Sequence, residues 1–249
     1  MRLRQVALAT RDLDPALEVL HAVLGLEVGF RDPGVKTFGL RNAVLPVGDG
    51  FLELVQPIRP DAPAERFLAR RGGDGGYMVI VQTPTLEIDR KRVEGLGVRV
   101  VWEHALPDVA TIHLHPRDVG GALLSLDEAR PPEEWPWAGP EWRAHARTDV
   151  VCALVGAELS SPDPARLAAR WAQILARPAR PVGAGALEIA LEGSRLRFVP
   201  AAGDEALRAI ELRARDAAAR ERALAAARAR GLPSEADAIP VAGTWIRLV

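Results

Sequence analysis

Residues 3–25, LRQVALATRDLDPALEVLHAVLG, read as an apolar strand, a turn and an amphipathic helix. Leu13, Leu17, Leu20 and Leu24 fall at helical spacing, Asp12 is placed to cap the helix start, and Gly25 to stop it. The same plan recurs at 153–176, ALVGAELSSPDPARLAARWAQILA, where Asp163 and Pro164 open a helix carrying Leu167, Trp171 and Leu175. Shorter versions occupy 76–101, GYMVIVQTPTLEIDRKRVEGLGVRVV, and 207–232, LRAIELRARDAAARERALAAARARGL. Strand-like segments follow each of them, at 44–55, 111–126, 187–199 and 244–249. The repeat predicts an α+β chain of four βαβββ modules.

Between the second and third modules the pattern breaks. Residues 130–149, RPPEEWPWAGPEWRAHARTD, are rich in proline and charge yet carry Trp135, Trp137 and Trp142. Three tryptophans bring a large apolar area, so this connector is expected to pack onto a half of the chain or lock the halves together, or else to wall a ligand site or a dimer contact. The expected division is 1–129 for the first two modules, 130–149 for the connector and 150–249 for the last two. The glycine-rich ARRGGDGGY at 69–77 lacks the G-K-[ST] ending of a phosphate loop and reads as the link between modules one and two. Asp49, between Gly48 and Gly50, belongs to a hairpin turn.

The chain is 48% hydrophobic and 26% charged, and 32 Lys+Arg against 33 Asp+Glu leave a formal net charge of −1. That balance argues against a binder that neutralises nucleic-acid phosphates. With one cysteine, Cys152, neither an internal disulfide nor a cysteine-rich zinc site can form. Cys152 stands in the apolar run VVCALVG, where a buried inert thiol is expected, and no G-x-S-x-G is present, so serine and cysteine hydrolases drop out. The N-terminus lacks an apolar export segment and no run reaches membrane-spanning length, which points to the cytoplasm. Only Lys36 and Lys91 are lysines, and the arginine and alanine richness suggests a bacterial, GC-rich coding sequence.

His113 and His115, in TIHLHP, alternate with Leu114, and period two would put both imidazoles on one face as ligands for zinc, nickel or iron, with Glu53 as a third. The competing reading is a hydrogen-bonded structural pair. His21 and His104 are read as structural, and the arginines Arg213, Arg215, Arg220, Arg222, Arg228 and Arg230 as the solvated side of the last helix.

The opening VALATRDLDPALEVLHAVLGLEV and the segment RNAVLPVGDGFLELVQP resemble the vicinal oxygen chelate superfamily, which includes glyoxalase I, bleomycin resistance proteins, extradiol dioxygenases and methylmalonyl-CoA epimerase. HPRDVGGALLSLDEA is similar to the closing hairpin of the epimerase relatives. The resemblance implies modules paired into two cup-shaped mixed sheets with helices outside, and a divalent metal as cofactor. It carries the four ligand positions onto Gln5, Glu53, Tyr77 and Ser125 in the first half, and onto Gly156, Arg197, Ala209 and Arg247 in the second. Glu53 and Gln5 suit such a site. Tyr77 stands where a histidine is usual and Ser125 where the proton-moving glutamate is usual. Arg197 and Arg247, facing one cup, would exclude a metal there and greet an anion, or else pair with Glu158, Glu188 or Glu211.

The expected function is therefore that of a glyoxalase-like protein that binds a small oxygenated organic molecule in its N-terminal cup, through Gln5, Asn42, Glu53, Tyr77, Trp102, His113 and Ser125, with a degenerate metal site. The alternative is a metal-dependent lyase or isomerase using Glu53 with Gln5 or with His113 and His115. Neither nucleic acid nor membrane is an expected partner; a small-molecule ligand and a second copy of the chain are.

Overall fold

A computed structural model describes residues 1–233 and 237–249. The first module runs β1 (Arg2–Ala9), α1 (Leu13–Leu24), β2 (Leu40–Val47) and β3 (Gly50–Pro57), followed by α2 (Pro63–Arg71). The second runs β4 (Gly75–Gln82), α3 (Leu86–Gly95), β5 (Val100–Ala105), β6 (Val109–Leu114), a single turn α4 (Pro116–Val119) and β7 (Leu123–Ala129). The third is β8 (Val151–Ser161), α5 (Pro164–Leu175), β9 (Ala179–Gly183), β10 (Ala186–Leu191) and β11 (Ser194–Pro200). The fourth is β12 (Ala206–Ala214), α6 (Ala217–Ala229), β13 (Ala238–Val241) and β14 (Thr244–Leu248). The architecture is the α+β one read from the repeat. Modules two and three have the full βαβββ plan. Modules one and four show one strand fewer among the described residues, and in module one the missing strand is reduced to a single bridge, Phe30 to Val44.

The helix ends follow local chemistry. The Asp12 side chain accepts from the Asp14 N–H at 3.1 Å, Asp163 from Arg166 at 3.0 Å and Asp216 from Ala219 at 2.7 Å. Gly25 stops α1 with φ 67° and returns its N–H to the His21 carbonyl. Helix α2 is not among the elements the repeat predicts. Its signals are Pro63 in the first turn and Gly72 with φ 78° at the end, hidden beside the glycine run that reads as a link. Gly48 and Asp49 form the two-residue turn between β2 and β3, and a Cβ on Gly48 would stand 2.2 Å from the Cys152 carbonyl oxygen.

The chain divides into two compact units that do not follow its order. Unit 1 gathers Met1–Arg4, Met78–Pro136 and Gly156–Arg208, joining module two to module three. Unit 2 gathers Gln5–Tyr77, Trp137–Val155 and Ala209–Val249, joining module one to module four. The boundaries expected at 129 and 150 group neighbours in sequence instead. Helix pairing accounts for the difference. In unit 1, α3 packs on α5, and the Arg92 Nε donates to the Ile174 carbonyl at 2.9 Å. In unit 2, α1 packs on α6.

Strand alternation then sorts the side chains. In unit 1, α3 lies on β6 and β7, and α5 lies on β10 and β11, with Trp171 against Phe198 at 5.8 Å. The opposite, inner side carries Thr111, His113, Ser125 and Asp127 from module two and Glu158 and Arg197 from module three. In unit 2, β1 pairs parallel with β3 and β3 antiparallel with β2, so Ala7, Glu53 and Val44 stand in one row. The next rows are Gln5, Phe51 and Pro46 on one side and Ala9, Val55 and Asn42 on the other. The fully buried Leu8, Leu52 and Leu54 take the alternate face, where α1 packs along β3.

Candidate functional site

Strand period two puts three polar side chains on the inner face of unit 2, all of them buried: Gln5 on β1, Asn42 on β2 and Glu53 on β3. Gln5 Nε2 donates to Glu53 Oε2 at 2.8 Å, and Asn42 Nδ2 donates to Glu53 Oε1 at 2.7 Å. Asn42 is held in turn by the Asp32 N–H, which donates to Asn42 Oδ1 at 2.9 Å. Asp32 also opens the 3-10 turn Pro33–Phe38, accepting from the Gly34 N–H at 2.7 Å. Burial raises the Glu53 carboxyl from 4.5 to about 7; the two amides oppose the shift and the Asp32 charge adds to it. A carboxyl of this kind changes charge near neutrality.

Apolar groups close both ends of the cluster. Ala9, Leu40 and Val55 pack with Ala62, Ala64 and Leu68, and Val35, Phe38, Phe67 and Tyr77 join them. The Tyr77 ring meets Phe67 edge-on at 5.1 Å, and burial pushes its phenol up to about 12, with Arg66 and Arg70 opposing. Tyr77 is thus a neutral neighbour of Glu53. At the other end Phe51 meets Trp142, 5.0 Å away and nearly perpendicular. Sequence reasoning misses the roles of Asp32 and Trp142. Trp142 carries a signal as an apolar residue in a polar connector; the hold of Asp32 on Asn42 carries none, because it is a backbone contact.

The remaining expected ligand contacts, Trp102, His113 and Ser125, lie in unit 1. Ser125 Oγ is within 2.9 Å of Thr111 Oγ1 and 3.3 Å of the Ile112 carbonyl, and it donates to Asp127. Trp102 tilts against His113 at 4.5 Å and stacks on His104 at 5.7 Å. Burial lowers His113 from 6.5 to about 4. Its imidazole should therefore stay uncharged in the fold until near pH 4, and because the unfolded imidazole takes up its proton near 6.5 the fold loses stability as pH falls from 6.5 toward 4. Ring-proton NMR shifts check this, and a midpoint near 6.5 would contradict it.

The two histidines do not share a strand face as expected. Strand β6 ends at Leu114, and His115 turns to cap α4, its Nδ1 accepting from the Arg117 N–H at 3.1 Å. Pro116 explains the break, since it supplies no N–H to continue the ladder. Glu53 belongs to unit 2 and both histidines to unit 1. Likewise Arg197 belongs to unit 1 and Arg247 to unit 2. Arg197 lies 3.8 Å from Glu158 on the paired strand, and Arg247 stands opposite Glu211 in the β12–β14 register. Cys152 is partly exposed rather than buried, its Sγ 3.9 Å from the Ala214 carbonyl.

A family model described as a glyoxalase-like domain matches residues 6–175. The chain belongs to the glyoxalase-like domain family. Within the vicinal oxygen chelate superfamily it is 30% identical over 131 residues to the mitochondrial methylmalonyl-CoA epimerase of Bos taurus, covering 51% of this chain and 74% of that protein. It is 28% identical over 134 residues to the Homo sapiens enzyme, covering 51% and 74%. A solved hypothetical protein from Staphylococcus aureus shares the fold across 99% of this chain and 98% of its own, with TM-score 0.70 at 10% identity. The epimerase likeness thus spans about two modules of this glyoxalase-like chain, whereas the fold likeness spans all four. Of the four residues onto which the resemblance carries the ligand positions, Gln5, Glu53 and Tyr77 fall in unit 2 and Ser125 in unit 1. Among the described residues no group of three or more His, Cys, Asp or Glu is placed to hold a metal ion, and no helix is long and apolar enough to cross a membrane.

Proposed function

We propose that unit 2 binds a small oxygenated organic molecule at Gln5, Asn42 and Glu53, without the family's usual metal-dependent proton transfer. The observation that carries this reading is the buried carboxyl held by two neutral amides. A divalent cation wants several hard, charged oxygen donors. The donor set fits poorly: both Glu53 oxygens already accept from amide N–H groups, the carboxyl is half protonated near pH 7, and the Tyr77 phenol stays neutral. Ser125 is engaged with Thr111 and Asp127. What the cluster supplies instead is hydrogen bonding to hydroxyl or carbonyl groups beside aromatic and aliphatic walls.

A second reading, a metal-dependent lyase or isomerase, is favoured by two findings: burial raises the Glu53 carboxyl to about 7, where a proton-moving group works best, and the curated relatives are named epimerases. The two separate on untagged protein prepared without chelator. Elemental analysis should find no stoichiometric metal, and melting should not respond to EDTA or to added Mg, Mn, Fe, Co, Ni or Zn. Stoichiometric metal, a melting shift and metal-dependent turnover lost in Glu53→Gln would establish the second reading.

A further inference from the structure

In unit 2, Ile58 is 51% exposed and lines a surface groove of about 550 Å3 where the end of β3 meets α2. Pro57, Pro60 and Ala69 add apolar surface to it, and Arg59 and Arg66 line it as well. The prolines have no N–H, and the Ile58 N–H is engaged with the Gly39 carbonyl at 2.8 Å, so the groove offers a partner chiefly apolar surface and guanidinium groups. The acids nearby do little to cancel those cations. Arg11 Nη1 donates to both Glu65 oxygens, at 2.9 and 3.1 Å, and Asp61 lies 3.4 Å from Arg59 Nε in an exposed pair of little strength in water. Arg66 donates to the Asp61 backbone carbonyl, which carries no charge, and Arg70 follows one turn later on α2, exposed. Arg59, Arg66 and Arg70 against Asp61 make a positive groove on a chain whose net charge is −1.

Unit 1 carries the complement. The hairpin of β5 and β6 ends in Leu106, Pro107 and Asp108, and the Leu106 N–H closes the turn by donating to the Val109 carbonyl at 2.7 Å. All three residues are exposed, Leu106 at 40%. The Asp108 backbone carbonyl is anchored, accepting from the Arg130 N–H at 2.8 Å. Glu103, on the same hairpin, is already paired with Arg90, so the Asp108 carboxylate is the charge that the tip presents. Pro107 restricts the backbone, which lowers the entropy cost of holding the tip in one shape.

We propose that these two surfaces meet between copies of this chain: the Leu106–Asp108 tip of one copy seats in the Ile58 groove of another, with Leu106 against Ile58 and the Asp108 carboxylate beside Arg59 and Arg66. The two exposed aliphatic side chains lose apolar surface to water on contact, and the opposite charges fix the orientation. Every copy carries both halves of the contact, so a second copy is the partner whose charge and apolar anchor match the groove. A tip of three residues is far smaller than the roughly 20–30 residues a side of a standard interface, so the association is weak and reversible. It is independent of what unit 2 binds at Glu53.

Sedimentation equilibrium of the full chain at roughly 10–500 µM, the range of a weak contact, tests this. The average mass of the native protein should rise with concentration. A tip variant, Asp108→Arg, and a groove variant, Arg59→Glu with Arg66→Glu, should each stay monomeric, the dissociation constant raised about a hundredfold or more because like charges are brought together. An equal mixture of the two variants should associate again, because the reversed tip of one meets the reversed groove of the other while their native surfaces match as before. Should either variant not fold by circular dichroism, Asp108→Asn and Arg66→Gln take their place, each expected to weaken association about tenfold. A native mass that stays constant with concentration would overturn the proposal. So would association that persists unchanged in the variants, or a mixture of folded charge-reversal variants that stays monomeric.

Discussion

Glu53→Gln should melt higher than the native protein at pH 8, and the gap should close as the pH falls to 4.5. The folded carboxyl keeps its proton to about pH 7 because burial disfavours its charge, whereas the unfolded one releases it near 4.5. Between those values the native state binds the extra proton, so Glu53 subtracts stability increasingly as pH rises through the window. At roughly 1.4 kcal/mol for each pH unit of that window, the full burden above pH 7 is about 3 kcal/mol, with only 8% of the residue exposed to soften it. Glutamine resembles the protonated acid in shape and charge, and its NH2 must face one of the two donors, Gln5 or Asn42, as the acid's hydroxyl does. A net gain of about 1–3 kcal/mol at pH 8 corresponds to several degrees in Tm for a chain of this size. Thermal melts of both proteins from pH 4.5 to 8 measure it. A gap that stays constant with pH would mean that Glu53 carries its charge in the folded state without penalty.

The second large effect belongs to the connector. Trp135 has 1% of its surface exposed, the Arg4 guanidinium sits 5.3 Å from its ring centre, and Arg4 is itself buried, with Nη2 donating to the Glu133 carbonyl at 3.0 Å. Trp135→Ala removes the ring and opens a cavity, a change that costs about 3–5 kcal/mol in packed interiors. It also takes the aromatic face from a buried cation, worth about 2 kcal/mol where water is excluded. The expected loss is therefore about 4 kcal/mol or more, a large part of the roughly 5–15 kcal/mol that stabilises a native protein. Trp135→Phe should recover a good share of it. Urea denaturation followed by circular dichroism reads the difference; a loss below about 1 kcal/mol would show that the ring is not anchored. From its composition the connector is expected to pack onto a half of the chain or lock two halves together. The structure puts Trp135 in unit 1 and Trp142 in unit 2, each with a packing partner in its own unit.

Much of the site is legible in the sequence because it is local. Glu53 and Asn42 each lie in a strand whose alternation assigns them a face, and Gln5 sits in the strand that the opening repeat identifies. The charge run expected on the last helix is readable only in part: Arg213, Arg215, Arg222, Arg228 and Arg230 are exposed and Arg220 is partly covered, but the helix spans Ala217–Ala229, so Arg213 lies in β12 and Arg215 precedes the helix. The histidine pair fails because period two does not extend past the end of β6 into a proline turn. Helix α2 hides between a proline start and a glycine stop that resemble loop composition. Asp32 is invisible because its hold on Asn42 is a backbone N–H reaching a side chain ten positions away, a contact that any residue with an N–H could make.

By itself the sequence determined the repeat, the α+β plan, the caps of α1 and α5, and a resemblance to a family whose strands would carry Gln5 and Glu53, because each depends on spacing and capping within a few residues. Tertiary structure alone decided which modules share a unit. Four helices with similar apolar faces give no local reason for α1 to prefer α6 and α3 to prefer α5, and that choice rests on packing between segments far apart in the chain. From it follows the assignment of Gln5, Asn42 and Glu53 to unit 2 and of His113 and Ser125 to unit 1.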